Sequence, residues 1–290
     1  MSAKPISRRW LLASGMALCS SACSQLAFLA ANVPAAFGDY SRLRDQSYGG
    51  LPRNLLDVYL PAEPRGAPVV IFFHGGGWNS GDKADYKFVG ATLAEQGYIA
   101  VLPNYRLYPD VKFPAFMNDA AQAVAWVFAH AHEWNADMKR VYLMGHSAGA
   151  HIAVMLGLNA EYLQQAGIRT QQLRGVIGLS GPYDFIPFQF DYMYDLFGPS
   201  ERYGLSQPIN YVRTDAPPMM LAHGGHDHTV SPTNTAHLAQ ALRAIGVQVQ
   251  THDYPNASHS DLVAAFSIPA RNRVPVLNDV NAFIKGRAAS

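Results

Sequence analysis

The chain has 290 residues, 49% of them hydrophobic, and its 22 basic and 21 acidic side chains leave a formal net charge of +1. This length and apolar content are sufficient for one large α/β domain with a sizeable core. The charges form no basic stripe, which excludes a nucleic-acid-binding protein as the expected class.

The N-terminus has the composition of an export signal. Lys4, Arg8 and Arg9 precede an apolar run, and no charged residue follows them within 1–30. A basic head followed by an apolar stretch and small residues predicts a signal peptide over 1–30, with the folded domain over 31–290. The paired arginines also fit a twin-arginine signal. We therefore expect an exported protein that is periplasmic, membrane-anchored or secreted.

Both cysteines of the chain, Cys19 and Cys23, lie in this leading segment. The remaining domain is therefore predicted to contain neither a disulfide nor a thiol nucleophile. Ser21 and Ala22 are small residues of the kind that precede a lipid-modified bacterial cysteine, although Ser20 stands where such sites usually carry leucine. Membrane attachment through a lipid on Cys23 is therefore one alternative, and an unmodified exported protein is the other.

Apolar strands alternate with helical patterns along most of the chain. The continuous apolar run over 68–73 is typical of a strand that is buried on both faces. Similar patterns predict strands at 56–60, 98–102, 141–144, 175–179, 218–222 and 247–253, and helices at 83–96, 114–131, 231–245 and 275–286. This alternation, without an internal repeat or a dividing linker, predicts an α/β fold with a mostly parallel central sheet and helices on both faces.

Residues 182–217 depart from this alternation. They carry aromatic side chains with little periodicity, at Tyr183, Phe185, Phe188, Phe190, Tyr192, Tyr194, Phe197, Tyr203 and Tyr211. We favour a short aromatic-rich lid over a pocket, and an excursion that covers the core is the alternative.

The sequence Gly145-His146-Ser147-Ala148-Gly149 follows an apolar strand and precedes small and apolar residues. A strand, a tight turn and a helix in this order predict that the Ser147 hydroxyl is exposed at the apex of the turn. The flanking glycines lack Cβ atoms, which lets neighbouring backbone approach. The Ala148 N–H begins a helix, has no intrahelical acceptor and can face an oxyanion. Ser147 is therefore the candidate nucleophile, and an ordinary glycine turn is the alternative.

A glycine-rich loop, His74-Gly75-Gly76-Gly77, follows directly after a buried strand. In an open parallel sheet, ligands bind at the carboxyl ends of the strands. Glycines let the backbone of such a loop turn its N–H groups toward a reacting carbonyl. The N–H groups of Gly75 and Gly76, together with that of Ala148, are therefore predicted to form an oxyanion hole.

Two residues downstream of Ser147 suit the other roles of a catalytic triad. Asp227 comes after the strand at 218–222, and His259 comes after the last predicted strand. A carboxylate can hold an imidazole in the right tautomer, and the imidazole can take the proton of the serine hydroxyl. Asp184 also follows a strand and is the rival acid, which could instead shape the pocket.

The other histidines are weaker candidates. His146 and His151 flank the predicted turn and are expected to point away from its apex. His223, His226 and His228 share one loop, but they lack the spacing of a helical ligand pair and no cysteine supports them. We therefore expect no metal site, with His226 and His228 at the pocket edge or in solvent.

Together these motifs resemble the α/β-hydrolase carboxylesterases that carry an HGGG oxyanion loop. The resemblance covers roughly residues 50–286, and it rests on the two glycine motifs, the Asn-Tyr-Arg sequence at 104–106, Asp227 and His259. It implies an α/β-hydrolase fold, a triad of Ser147, Asp227 and His259, and no cofactor.

The same motifs are similar to those of arylformamidases, isoprenylcysteine methylesterases and feruloyl-type esterases. The resemblance implies a carboxylesterase that acts on short-chain or aryl esters through an acyl-enzyme. An amidase or formamidase with the same triad is the first alternative, and a non-catalytic binding protein is the second. The long N-terminal cap of the hormone-sensitive-lipase-like branch is lacking, so a deep pocket for long acyl chains is not expected.

Overall fold

The computed structural model describes residues 26–35 and 37–286. The predicted signal peptide and Cys23 therefore lie outside the described residues, except that 26–30 belong to the first helix. Within the described ranges, no helix combines the length and the apolar character that a membrane crossing requires.

A mixed sheet forms the centre of the described part of the chain. Its strands are β1 (Tyr40–Ser47), β2 (Leu55–Pro61), β3 (Val69–Phe73), β4 (Ile99–Pro103), β5 (Val141–His146), β6 (Leu173–Leu179), β7 (Met219–Gly224) and β8 (Val249–Tyr254). They are arranged in the order β1-β2-β4-β3-β5-β6-β7-β8. β2 is antiparallel to both β1 and β4, and every other pair is parallel. The predicted mostly parallel sheet is therefore confirmed.

Helices cover both faces of this sheet. They are α1 (26–35), α2 (Lys87–Glu95), α3 (Ala115–His130), α4 (Ala148–Leu158), α5 (Ala160–Gln165), α6 (Asp191–Leu196), α7 (Thr233–Ala244), α8 (Asp261–Ala264) and α9 (Val276–Ile284). α1, α2, α8 and α9 pack on one face, and α3, α4, α5 and α7 pack on the other. The helices on both faces are as predicted.

β3 shows why the sheet has a hydrophobic core on each side. Val69, Ile71 and Phe73 face the core that contains α3 and α4, whereas Val70 and Phe72 face the opposite core. Successive side chains of a strand point to opposite faces, so a strand covered on both sides needs an unbroken apolar run. Each of these side chains contributes roughly 1.5–3 kcal/mol through burial.

The observed elements differ from the predicted ones at several places, and the short helices α5, α6 and α8 match no predicted helix. The strand β1 was not predicted because most of its side chains are exposed and polar, as suits the edge of a sheet. The helix α1 was not predicted because it lies within and just after the apolar leading segment. The predicted helix at 83–96 is divided into a 3₁₀ helix (Lys83–Tyr86) and α2.

The aromatic segment at 182–217 has two parts. Most residues from 182 to 193 line a cavity at the carboxyl edge of the sheet, although Tyr183 and Phe188 are buried in the core. The later part covers α4, because Ser206 O accepts from His151 Nε2 at 2.7 Å and Arg213 Nε donates to the Leu158 carbonyl at 2.9 Å. The lid over the pocket therefore stays a prediction for the first part, whereas the second part covers the core.

Candidate active site

Ser147 lies at the turn between β5 and α4. Its backbone has φ 57° and ψ −124°, a conformation that a residue with a Cβ seldom adopts. A Cβ on Gly145 would lie 2.1 Å from the Gly149 carbonyl oxygen, and one on Gly149 would lie 2.0 Å from the Phe73 carbonyl oxygen. The Ser147 N–H donates to Leu179 O at 2.9 Å, which anchors the turn to β6. Gly145 is therefore required for the close approach of β5 to the start of α4, and Gly149 for the packing of α4 against β3.

The loop after β3 approaches Ser147 through its glycines. Gly76 and Gly77 have φ values of 117° and 58°, which favour glycine. Both line the cavity beside Ser147, and so does Ala148. Gly75 packs against the turn itself, where a Cβ would lie 3.3 Å from Ser147 Cβ. Gly76 and Ala148 therefore lie at the cavity, and Gly77 rather than Gly75 is the second loop glycine in its wall.

The motif at 104–106 supports this loop. The Tyr105 ring stacks on the His74 ring, with centroids 4.3 Å apart and 15° between the planes, and its hydroxyl donates to the His74 carbonyl at 2.8 Å. Arg53 connects the two segments, because it donates to Tyr105 O at 2.7 Å and to Gly81 O at 2.9 Å. Burial lowers the pKa of His74 to about 4, so the stacked ring is neutral at pH 7.

Asp227 and His259 meet beyond the carboxyl ends of β7 and β8. Nδ1 of His259 lies 2.7 Å from Asp227 Oδ2, while Asp227 Oδ1 accepts the N–H groups of Thr229 at 2.9 Å and Val230 at 2.8 Å. Burial by itself would raise the pKa of Asp227, but hydrogen bonds from His223, His259 and Val230 hold it well below its ordinary value. The ionised carboxylate favours a proton on Nδ1 of His259, which leaves Nε2 free to accept one.

His223 is a second imidazole on the same carboxylate. Its Nε2 lies 3.2 Å from Asp227 Oδ2 and 2.9 Å from the Val230 carbonyl oxygen. Since a carbonyl can only accept, Nε2 carries a proton, while Nδ1 lies 2.9 Å from the Thr235 hydroxyl. Asp227 is therefore held by N–H groups on both oxygens. The sequence placed His223 among histidines of doubtful role and contained no signal for this contact.

The two histidines beside Ser147 have different partners. Nε2 of His146 lies 2.9 Å from the backbone oxygen of His259, and the two rings are 4.8 Å apart. His146 therefore ties the serine turn to the loop that carries His259, a role that the sequence did not indicate. His151 is directed elsewhere, toward Ser206. Burial lowers the pKa of His146 to about 3 and that of His151 to about 4, so both rings are neutral.

Ser147 and His259 are brought to the same site by these contacts. Within the described residues, the ring of His259 is hydrogen-bonded to Asp227, and no hydrogen bond joins it to the Ser147 hydroxyl. The contacts of His146 and Asp227 therefore place the loop of His259 next to the turn that carries Ser147.

The rival acid has another partner. Asp184 Oδ2 lies 2.7 Å from Nδ1 of His237, and the Asp184 side chain lines the cavity. His226 and His228 are exposed. In the part of the chain that the structure describes, no group of three His, Cys, Asp or Glu side chains is arranged to hold a metal ion. Asp227 is therefore the acid that contacts His259, whereas Asp184 belongs to the pocket wall.

A cavity of about 440 Å³ opens beside Ser147, a size at the lower end for small-molecule sites. One part of its wall is aromatic and consists of Trp78, Phe185, Phe190 and Tyr192. Another part carries polar side chains from the loop after β7 and from α7, namely Thr229, Ser231, Thr233 and Asn234. The Tyr192 hydroxyl donates to the Gly77 carbonyl at 3.1 Å, so α6 contacts the glycine loop directly.

The family model for BD-FAE matches residues 56–242 of the chain. The chain belongs to the BD-FAE family. The matched region contains Ser147 and Asp227 and ends before His259, so the position of this histidine in the site comes from the structure.

Members of several esterase groups are similar to this BD-FAE protein. The isoprenylcysteine alpha-carbonyl methylesterase ICME of Arabidopsis thaliana is 31% identical over 239 residues, which are 74% of this chain and 56% of that protein. Esterase LipC of Mycobacterium tuberculosis is 30% identical over 243 residues, which are 76% of this chain and 60% of that protein. The chain thus spans little more than half the length of these relatives.

Solved structures of esterases share the fold of this BD-FAE protein. Esterase B from Lactobacillus rhamnosis superposes with a TM-score of 0.76 at 24% identity, over 96% of each chain. A truncated form of a carbohydrate esterase from gut microbiota superposes with a TM-score of 0.71 at 21% identity, over 86% of this chain and 97% of that one. At these identities the likeness concerns the fold, and the expected α/β-hydrolase fold is confirmed.

Proposed function

We propose that the protein is a serine carboxylesterase that cleaves short-chain or aryl carboxylic esters through an acyl-enzyme. The proposal depends above all on the 2.7 Å contact between His259 Nδ1 and Asp227 Oδ2. This contact orients an imidazole in a loop that His146 ties to the turn carrying Ser147. The esterases among its relatives support the same reaction.

In the proposed mechanism, His259 removes the proton of the Ser147 hydroxyl as the serine oxygen attacks the ester carbonyl. The imidazolium that forms is stabilised by the Asp227 carboxylate, and it then gives its proton to the leaving alcohol. A water molecule repeats the sequence on the acyl-enzyme, which releases the carboxylic acid and restores the Ser147 hydroxyl.

The negative charge on the carbonyl oxygen requires backbone donors. We assign this role to the N–H groups of Gly76 and Ala148, with that of Gly75 or Gly77 as the third donor. Gly77 is supported by its place in the cavity wall, and Gly75 by its contact with the serine turn. Each such donor typically contributes about 3 kcal/mol to the stabilisation of the transition state.

The cavity favours small acyl groups. A volume of about 440 Å³ accommodates an aryl ester with a short acyl group, and the acyl length expected from the family resemblance is about two to six carbons. Each CH₂ that the cavity buries should improve kcat/KM by about 0.8 kcal/mol in activation free energy until the cavity is full. A series of p-nitrophenyl esters measures this directly, and values that keep rising to long-chain acyl groups would contradict the substrate class.

A fluorophosphonate probe tests the nucleophile. The wild type should be labelled and should release p-nitrophenol from p-nitrophenyl acetate, whereas Ser147→Ala should do neither. Ser180→Ala is a matched control, because Ser180 also has a positive φ of 49° and is buried close to the end of β6. Equal labelling of the wild type and Ser147→Ala would show that another residue is the nucleophile.

The two alternatives give different results in the same assays. An amidase or formamidase would be labelled equally well, but its kcat/KM for an aryl formamide would exceed that for the matching aryl formate ester. A non-catalytic binding protein would be neither labelled nor active. The hydrogen bond between His259 and Asp227 favours a catalytic function over a purely binding one, because an oriented imidazole serves proton transfer and is not required for binding.

We further propose that the protein is exported. The proposal is supported by the basic head and apolar run of the leading segment and by the pair of cysteines that lies within it. Cell fractionation should find the shortened protein outside the cytosol. Labelling with a radioactive fatty acid should mark the wild type and not Cys23→Ala if Cys23 carries a lipid, and only full-length protein in the cytosol would contradict export.

A further inference from the structure

The cavity beside Ser147 has an unbalanced charge. Among the described residues that line it, Asp184 is the only one with an ionisable carboxyl, and none is a lysine, an arginine or a histidine. A small site with one carboxylate and no cation in its wall has a negative potential, which attracts positive substrate groups and repels negative ones. Charge is therefore a property by which this cavity can distinguish esters of equal size.

The carboxylate of Asp184 is fixed at the wall. Its backbone N–H donates to Asn234 Oδ1 at 2.8 Å, and the preceding N–H of Tyr183 donates to the same oxygen at 2.7 Å. Oδ2 contacts Nδ1 of His237 at 2.7 Å, and these two side chains are 37% and 52% exposed. The contact with His237 and the hydrogen bonds of the backbone therefore hold the Asp184 carboxylate in the wall of the cavity.

The aromatic wall acts in the same direction. Phe185 stacks on Trp78 with ring centroids 5.9 Å apart, and Phe190 stacks on Tyr192 with centroids 6.0 Å apart. The faces of such rings carry a negative electrostatic potential and attract ammonium groups, most strongly where water is displaced. Rings bind a neutral group of the same shape only through the apolar area that is buried.

We propose that the site selects esters that carry a positive charge, such as a quaternary ammonium, in the part bound next to the aromatic wall, and that Asp184 determines this selection. The inference rests on the proposed esterase function and concerns the same cavity. Selection by charge is a separate property from selection by acyl length, because it distinguishes substrates of equal size.

The test uses three thioacetates whose thiol product is detected by one colorimetric reagent. Acetylthiocholine is cationic, S-(3,3-dimethylbutyl) thioacetate has the same shape without charge, and S-acetyl-3-mercaptopropionate is anionic. At pH 8 and low salt, the wild type should show the order cationic, neutral, anionic in kcat/KM. In Asp184→Asn the ratio of cationic to neutral kcat/KM should fall about tenfold, and the ratio of anionic to neutral should rise.

Asp191→Asn is the matched control, because it makes the same change of charge at an exposed position at the start of α6 that does not line the cavity. Its ratios should stay within about twofold of the wild type, since an exposed charge is screened by solvent. A second measurement needs no variant: KM for the cationic thioester should rise with added salt, while KM for the neutral one stays constant.

The outcomes separate the two proposals. Unchanged ratios in Asp184→Asn, or an equal change in Asp191→Asn, would overturn the selection by charge and leave the esterase function intact. A KM for the cationic thioester that does not respond to salt would overturn it in the same way. A wild type that hydrolyses none of the three thioacetates would overturn the esterase function and this inference together.

Discussion

Asp227→Asn is predicted to abolish most of the activity through the tautomer of His259. Oδ1 of Asp227 accepts two backbone N–H groups, from Thr229 and Val230, so the amide oxygen of an asparagine must occupy that place. The NH₂ group then occupies the place of Oδ2, 2.7 Å from Nδ1 of His259. It donates to Nδ1, the ring proton moves to Nε2, and the ring can no longer accept the proton of Ser147.

The magnitude follows from the same geometry. A wrong tautomer in a Ser-His-Asp triad lowers kcat by about 10⁴, which corresponds to about 5.4 kcal/mol in activation free energy. The NH₂ group also faces Nε2–H of His223 at the 3.2 Å position, where two donors oppose each other. Because His223 keeps the Val230 carbonyl as an acceptor, we expect a loss of stability of only about 1 kcal/mol.

The assay is kcat on p-nitrophenyl acetate, with thermal unfolding of each variant to show that it is folded. Asp184→Asn is the comparison, and it should lose less than about tenfold because its carboxylate contacts His237 and not His259. An Asp227→Asn enzyme that keeps more than about one hundredth of the wild-type kcat would refute the reasoning. A loss of kcat in Asp184→Asn that exceeds the loss in Asp227→Asn would refute the reasoning as well.

Two further predictions concern stability. Gly149→Ala should cost about 3 kcal/mol or prevent folding, because its Cβ would lie 2.0 Å from the backbone oxygen of Phe73. Gly157→Ala in the same helix should cost less, because its Cβ would meet side-chain atoms only, the nearest being a Val176 methyl group at 2.8 Å. Urea unfolding of both variants measures the difference. Lowering the pH from about 6.5 toward 4 should reduce the free energy of unfolding. Burial lowers the pKa of His151 to about 4, so this histidine stays neutral in the folded state over that pH range. The same histidine binds a proton in the unfolded state, which stabilises the unfolded state as the pH falls. The free energy of unfolding should change by about 1.4 kcal/mol per pH unit for each such histidine. In urea titrations at pH 4.5 to 7.5, the free energy of unfolding of His151→Gln should depend less steeply on pH than that of the wild type. An identical pH dependence would show that His151 does not contribute to it.

The aromatic segment at 182–217 was only partly predictable from its composition. Its rings predicted a contact with a pocket, and Phe185, Phe190 and Tyr192 do line the cavity. The same composition could not show that the later part covers α4, because a buried ring has the same sequence signal whether it faces a ligand or the core. The contact of His151 with Ser206 is what distinguishes the two parts.

What the sequence determined by itself depends on local physics. An apolar run such as 69–73 must be covered on both faces, and a Gly-x-Ser-x-Gly turn between a strand and a helix leaves few conformations for Ser147. The strands, most helices, the parallel sheet and the serine turn were therefore predictable. The edge strand β1 was not, since its exposed and charged side chains lack an apolar period.

Only the tertiary structure decided which distant residues act together. Asp184 and Asp227 both follow a parallel strand and are equivalent in sequence, but β7 and β8 are neighbours, and this places Asp227 rather than Asp184 beside His259. The supporting contacts of His223 and His146 are likewise set by the packing of loops at one edge of the sheet. Local sequence patterns do not specify such distances, because these contacts form only when the strands pair and bring the ends of separate segments together.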